Sequence, residues 1–174
     1  MVISDFNLLV STPRMRENDA CSEIWFLLSE IGDREPVVER SDIIGLIAAK
    51  TSLDPFKVIQ EFRRLLKEQP EEFRYTLRVV PIEAVVPTWL ELIKKVSLEL
   101  SLCIREDETF RVTVEKRHTT LSSTEIIEAV AEGINRKVNL LKPDRIVLIE
   151  VLGGLTGVSV IKPEDVLSVV KEKP

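Results

Sequence analysis

The sequence holds one histidine and two cysteines in 174 residues. Without a second histidine no two-histidine metalloprotease helix can form, and no Cys/His pair stands at zinc-ligand spacing, so no metal site is expected. Cys21 and Cys103 lie far apart, each within an apolar helical pattern, and read as small core residues rather than a disulfide. No apolar run approaches the ~18 residues of a membrane span. Residues 1–10 carry Asp5 and lack a basic leader ahead of an apolar stretch, which makes the cytoplasm the default compartment. Positive charge is also short: the formal net charge is −5. That excludes a protein that coats nucleic acid indiscriminately, leaves no expectation of DNA binding, and requires any RNA affinity to be local. Aromatic residues make up 5% of the chain, and Trp25 and Trp89 sit at helical spacing, so both read as core or interdomain residues rather than base-stacking platforms.

A phosphate loop is missing too. Gly153-Gly154-Leu155-Thr156-Gly157 does not end in Gly-Lys-Ser/Thr and leads into a strand, so it reads as a hairpin turn using glycine for positive φ. The alternative is that its backbone N–H groups face a ligand. No cofactor is expected.

What the chain does contain is a strong alternation of elements. Phe6–Val10 reads as a strand, residues 19–31 as a helix buried through Ile24, Trp25, Leu27, Leu28 and Ile31, and Gly32 as its stop. Val37–Glu39 and Ile43–Ala49 read as two strands, the second buried on both faces. Asp54 and Pro55 cap a helix through Phe56, Ile59, Phe62 and Leu66, and Tyr75–Val80 reads as another strand. Strand, helix, strand, strand, helix, strand is the split pattern of a ferredoxin-like domain, with one antiparallel sheet and both helices on one face. Residues 1–80 form that domain in this reading, and residues 81–174 a second. There a short stiff connection leads to a helix capped by Thr88 and carrying Trp89, Ile93, Val96 and Leu100; Ile146–Leu152 reads as a central strand, and a short helix begins near Lys162. The overall class is α+β.

The most informative stretch runs from Phe110 to Ser122. Phe110, Val112 and Val114 alternate with Arg111, Thr113 and Glu115, then Lys116, Arg117 and His118 follow without a break. Ser122 with Glu125 supplies a capping box for a helix through Ile126, Ile127, Val130 and Ile134. Cations at a strand end beside a helix N-terminus suit phosphate. The cations read equally well as an ordinary charged strand edge. Arg136 and Lys137 are further candidates for one positive patch. His118 has no nucleophile or carboxylate beside it in a catalytic motif, so hydrogen bonding or stacking is its expected role. Glu150, inside an apolar strand, reads as an exposed position or one half of an ion pair.

These blocks resemble a THUMP domain, specifically that of the small archaeal and eukaryotic proteins that assist N4-acetylation of cytidine in tRNA. The resemblance is carried by Arg78-Val79-Val80-Pro81 through Thr88, Phe110 through His118, Ser122 to Ile126, Val138-Asn139-Leu140 with Lys142-Pro143-Asp144, Ile149-Glu150-Val151 and Gly157-Val158-Ser159-Val160. The cluster ends in His118 where many THUMP domains carry another cation. The resemblance implies an N-terminal ferredoxin-like domain followed by a THUMP domain, an α/β sandwich that helps recognise tRNA. No nucleotide-binding motif precedes Val79 and no catalytic domain follows Pro174 in this sequence. The resemblance therefore implies an adaptor, not an enzyme, whose partners are tRNA and a separate RNA acetyltransferase chain. Arg111, Lys116 and Arg117, with Arg136 and Lys137, are then expected on phosphates, and His118 and Thr119 on sugar or base edges. The competing expectation is a ferredoxin-like small-molecule or protein-interaction module without RNA binding.

Overall fold

Strand β1 (Leu8–Ser11) leads through Pro13 into α1 (Glu17–Glu30), then β2 (Val37–Arg40), β3 (Leu46–Lys50), α2 (Pro55–Glu68) and β4 (Arg78–Pro81). The second half continues with β5 (Ala84–Pro87), α3 (Leu90–Leu100), β6 (Thr109–Arg117), α4 (Ser123–Glu132), β7 (Lys137–Val138), β8 (Arg145–Leu152) and β9 (Leu155–Ile161). The chain ends on β10 (Leu167–Ser168) and the single turn α5 (Val169–Glu172). The structure is a computed structural model and describes residues 4–174, so the reading of residues 1–10 as leaderless falls in part outside the described residues. Two compact units result: one reaches Ile82 and includes Glu164–Pro174, the other is Glu83–Pro163. The C-terminal residues thus group with the first unit, where a division at residue 80 assigns them to the second.

The first unit has the strand order β10-β4-β1-β3-β2, with every neighbour antiparallel. Its strands β4-β1-β3-β2 follow the split β-α-β pattern expected of a ferredoxin-like sheet, with β10 added beside β4. Both helices cover one face, where Leu8, Val10, Ile47, Ala49 and Val79 meet Ile24, Leu27, Leu28, Ile59, Phe62 and Leu66. Phe62 and Phe73 pack edge to face with centroids 6.2 Å apart, a geometry worth about 0.5–1.5 kcal/mol beyond the area buried. Asp54 caps α2 by accepting from the Phe56 N–H at 2.9 Å, with Pro55 in the first turn. β1, β3 and β4 each start later than expected, at Leu8, Leu46 and Arg78, and for the last two the cause is local. Gly45, at φ +79°, and the Ser41 hydroxyl, which donates to the Leu46 carbonyl at 2.6 Å, form a turn that delays β3. The Glu23 carboxylate takes the Tyr75 N–H and the Thr76 hydroxyl, the latter at 2.6 Å, and so withholds them from β4.

The second unit has the order β5-β9-β8-β6-β7. β6 runs parallel to both β8 and β7, while β9 is antiparallel to β8 and β5. Its core gathers Phe110, Val112, Val147, Ile149, Val158 and Val160 with Ile93, Ile126 and Val130 of α3 and α4. The stretch from Pro81 to Thr88, expected as a connection, contains the edge strand β5. No described helix is long and apolar enough to cross a membrane.

Candidate nucleic-acid interface

Because β6 and β8 are parallel, their carboxyl ends, Arg117 and Leu152, lie side by side at one edge of the sheet. His118 leaves β6 in the left-handed region, at φ +54°, a conformation uncommon for a residue with a side chain. β8 turns back into β9 through Gly153, at φ +62°, whose N–H donates to the Arg117 carbonyl at 2.9 Å. The end of β5 is tied to the same turn, since the Thr88 N–H donates to the Gly154 carbonyl at 3.0 Å. Three chain segments therefore border one open groove of about 520 Å³, lined by Thr88, Trp89, His118, Thr119, Thr120, Gly153 and Gly154.

The groove's lining offers an indole, an imidazole, three hydroxyls and bare backbone, with no carboxylate. Trp89 is 66% exposed. Two helices begin here. α4 is closed by the expected capping box: Ser122 Oγ accepts from the Glu125 N–H at 3.0 Å, and the Ser122 N–H donates to Glu125 Oε1 at 3.2 Å. α3 has no side-chain cap. The Thr88 hydroxyl instead pairs with that of Thr156 at 2.8 Å, and Trp89 occupies the N-cap position. The first turns of these helices each carry a carboxylate, Glu125, engaged in the capping box, and Glu91 of α3.

The expected cationic patch does not assemble as one surface. Lys116 and Arg117 share the strand end with His118 and Thr119, yet they project to opposite faces of β6. Lys116 is exposed and its Nζ donates to the Leu121 carbonyl at 3.2 Å. Arg117 turns to the other face and donates from Nη1 to Glu150 Oε1 at 2.9 Å; Glu150 is fully buried. Of the two readings of Glu150, the ion pair holds and the exposed position does not. Arg111 is engaged further down the strand, by Thr113 Oγ1 at 3.1 Å and the Leu140 carbonyl at 2.9 Å.

Arg136 and Lys137 belong to the opposite end. Lys137 pairs with Thr109 at the start of β6, about 26 Å from Arg117 at the other end of the strand, at the rise of an extended chain. The Arg136 guanidinium donates to the carbonyls of Ile104, Arg105 and Asn135, the last at 2.7 Å, and so fastens a loop. At that end the Thr109 N–H and hydroxyl hold the Asp144 carboxyl below its usual range.

Trp89, Thr88 and Thr120 are groove residues that sequence reasoning did not assign, and the glycine pair entered it only through the alternative in which the turn's N–H groups face a ligand. Trp89 stands at i, i+4 and i+7 spacing with Ile93 and Val96, which suggested a buried helix face. Its extended backbone, φ −120° and ψ 128°, takes it off that face and into solvent. The signal that finds it is the helix boundary, not the periodicity. Trp25, also expected inside, is 53% exposed. Cys103, expected as a core residue, is exposed, and both cysteines are free thiols. A larger open concavity of about 730 Å³ lies in the first unit beside α2. There Arg64 is already paired with Glu61 and Glu68, as on an ordinary solvated helix.

The THUMP domain profile matches residues 93–161. No curated protein matches the sequence. Among solved structures, PH1313 from Pyrococcus horikoshii superposes with a TM-score of 0.67 at 18% identity, over 94% of this chain and 55% of its own. TrmN from Thermus thermophilus gives 0.59 at 17% identity, over 92% and 47%. A 4-thiouridine synthetase, solved with RNA and bound ATP, gives 0.54 at 15% identity, over 94% and 42%. At these identities the likeness is one of fold, and the chain spans about half the length of these neighbours. With the profile match falling on the second unit and including all of β6 to β9, the chain carries a THUMP domain, an RNA-binding module of tRNA-modification enzymes, at residues 93–161.

Proposed function

We propose that this chain is a non-catalytic tRNA-binding adaptor that presents tRNA to a separate RNA cytidine acetyltransferase for N4-acetylcytidine formation. The observation that carries the binding half is the carboxylate-free groove at the carboxyl ends of β6 and β8, whose His118, Thr119, Thr120, Gly153 and Gly154 fall within the THUMP match while Thr88 and Trp89 precede it. An unpaired base stacks on Trp89, while His118, Thr119 and Thr120 offer hydrogen bonds to sugar or base edges. Lys116 places a phosphate, and the N-terminus of α4 adds a favourable field. Arg117 acts through Glu150, as a positioning residue for the strand end. The adaptor half rests on the motif resemblance of residues 78–88 and 110–160.

The test is tRNA retention measured across a salt series for wild type and Lys116→Ala. Loss of one phosphate contact flattens the salt slope by about 0.7 units if the strand is single; an identical slope and affinity would remove Lys116 from the site. Reconstitution with the acetyltransferase, tRNA, acetyl-CoA and ATP tests the adaptor half. Acetylcytidine should require both proteins, and product formed by this chain alone would overturn it. The net charge of −5 favours the second reading, an interaction module without RNA affinity; that reading predicts no salt-dependent binding.

A further inference from the structure

His118 is the chain's only histidine, and it stands exposed at the edge of the groove. The bend it opens has donors to spare. Among the described residues, the N–H groups of Thr119, Thr120 and Gly154 have no acceptor within the protein, and the Thr120 hydroxyl has no partner. The Thr119 hydroxyl accepts from the Leu121 N–H at 3.2 Å, which leaves its own proton to donate. Lys116 reaches the same bend: its Nζ donates to the Leu121 carbonyl at 3.2 Å, and the ammonium keeps two further protons. The ligand that uses all of these groups at once is an anion.

The charges around the imidazole decide its part. On β6, Lys116 adds a cation to the bend, while Glu115 and Arg117 lie by alternation on the opposite face, where Arg117 is held by Glu150. The β8–β9 turn, the segment from Thr119 to Ser122 and β5 carry no charged side chain. Glu125 at the start of α4 is engaged in the capping box, and Glu91 in the first turn of α3 is not part of the lining. No carboxylate of the lining therefore competes for an imidazolium. A neutral imidazole offers one donor and one acceptor, whereas a protonated one offers two donors and a charge. In RNA the acceptor that answers a charge is the phosphate.

We infer that the bend from His118 to Thr120 is a proton-linked phosphate subsite: protonated His118 joins Lys116 and the donors of Thr119 and Thr120 on a phosphate next to the base stacked on Trp89. Resting on the RNA reading of the groove, binding then tightens as pH falls, because a phosphate that prefers the imidazolium must in turn favour its proton.

The test is tRNA retention by the full chain across a salt series, at about pH 5.5 and about pH 8, on either side of the range in which imidazoles titrate. Wild type should bind roughly three- to fivefold more tightly at the lower pH, with a salt slope steeper by about 0.7 units if the strand is single. His118→Gln keeps a hydrogen-bonding side chain without the proton, and should give one affinity and one slope at both pH values. His118→Lys should hold the steeper slope at both. A second measurement needs no variant: the imidazole signal in proton NMR belongs to one residue, and its titration midpoint should rise by about half a pH unit in the complex, the same coupling read from the proton's side. Binding that is equal at both pH values, or a pH dependence that persists in His118→Gln, overturns the subsite and leaves the RNA reading standing. Absence of tRNA binding at either pH removes the RNA reading and the subsite with it.

Discussion

Arg117 donates from Nη1 to Glu150 Oε1 at 2.9 Å, across the parallel pair β6 and β8, and the carboxylate that accepts is fully buried. A cation that the sequence places at the end of a binding strand is thus tied to the interior of the sheet. Arg117→Ala deprives a buried carboxylate of its cationic hydrogen bond, and the expected cost is about 3 kcal/mol in urea denaturation. Lys116→Ala, one residue away and exposed, should stay within about 0.5 kcal/mol of wild type. Equal stability for the two variants would show that the ion pair contributes nothing to the fold. The contrast also decides how binding is tested: a loss on mutating Arg117 mixes folding with recognition, whereas a loss on mutating Lys116 does not.

Trp89 carries the opposite expectation. Its ring is largely in solvent, so Trp89→Ala should leave the melting temperature unchanged. If a base stacks there, the substitution weakens tRNA binding by about 1–3 kcal/mol, read by retention at fixed salt. Full affinity in Trp89→Ala would remove the indole from the groove's function. Trp89→Phe should retain part of the affinity, because a smaller ring still offers a stacking face.

His118 separates conformation from chemistry. At φ +54° a side chain costs about 1–2 kcal/mol, and more for a β-branched one. His118→Gly should therefore remain within about 1 kcal/mol of wild type, since relief at positive φ offsets the added freedom of the unfolded chain. His118→Val should be the less stable by about 1–2 kcal/mol. Both lose the imidazole, so both should bind tRNA more weakly to a similar degree. Weakening in the valine variant alone would mean that the bend, not the ring, matters.

The parts of this fold that were legible are those written in local chemistry. Asp54-Pro55 and the Ser122/Glu125 box announce helix starts through bonds spanning a few residues, and the alternation at Phe110–Val114 announces a half-buried strand. The antiparallel first sheet followed from element order alone. Leu167–Ser168 was not legible, because a two-residue strand exists only by pairing with Arg78–Val79, almost ninety positions earlier. The spread of the cations was hidden for a related reason. Lys137 follows Arg136 in sequence, yet its place at the amino end of β6 depends on a parallel register that no local pattern encodes. Glu150 looked anomalous in an apolar strand, and its partner became visible only when β6 and β8 were set side by side.

Asp33 gives the fold a pH dependence whose sign can be worked out. It is buried just after α1, where its carboxylate accepts from the Thr51 hydroxyl at 2.6 Å, the Ser52 hydroxyl at 2.7 Å and the N–H groups of Ser52 and Glu35, each at 3.1 Å. Burial pushes the carboxyl up, but these donors outweigh it and hold Asp33 below its usual range. A carboxyl depressed in the folded state contributes fully above its unfolded value, about 3.9, and the contribution is lost as pH falls through the folded value. Asp33→Asn should therefore cost about 2 kcal/mol at pH 7, measured by urea denaturation. Repeated near pH 3, the gap between wild type and variant should narrow, because the wild type begins to lose the same charge. A gap of equal size at both pH values would show that the turn is held by shape rather than by the ionised carboxylate.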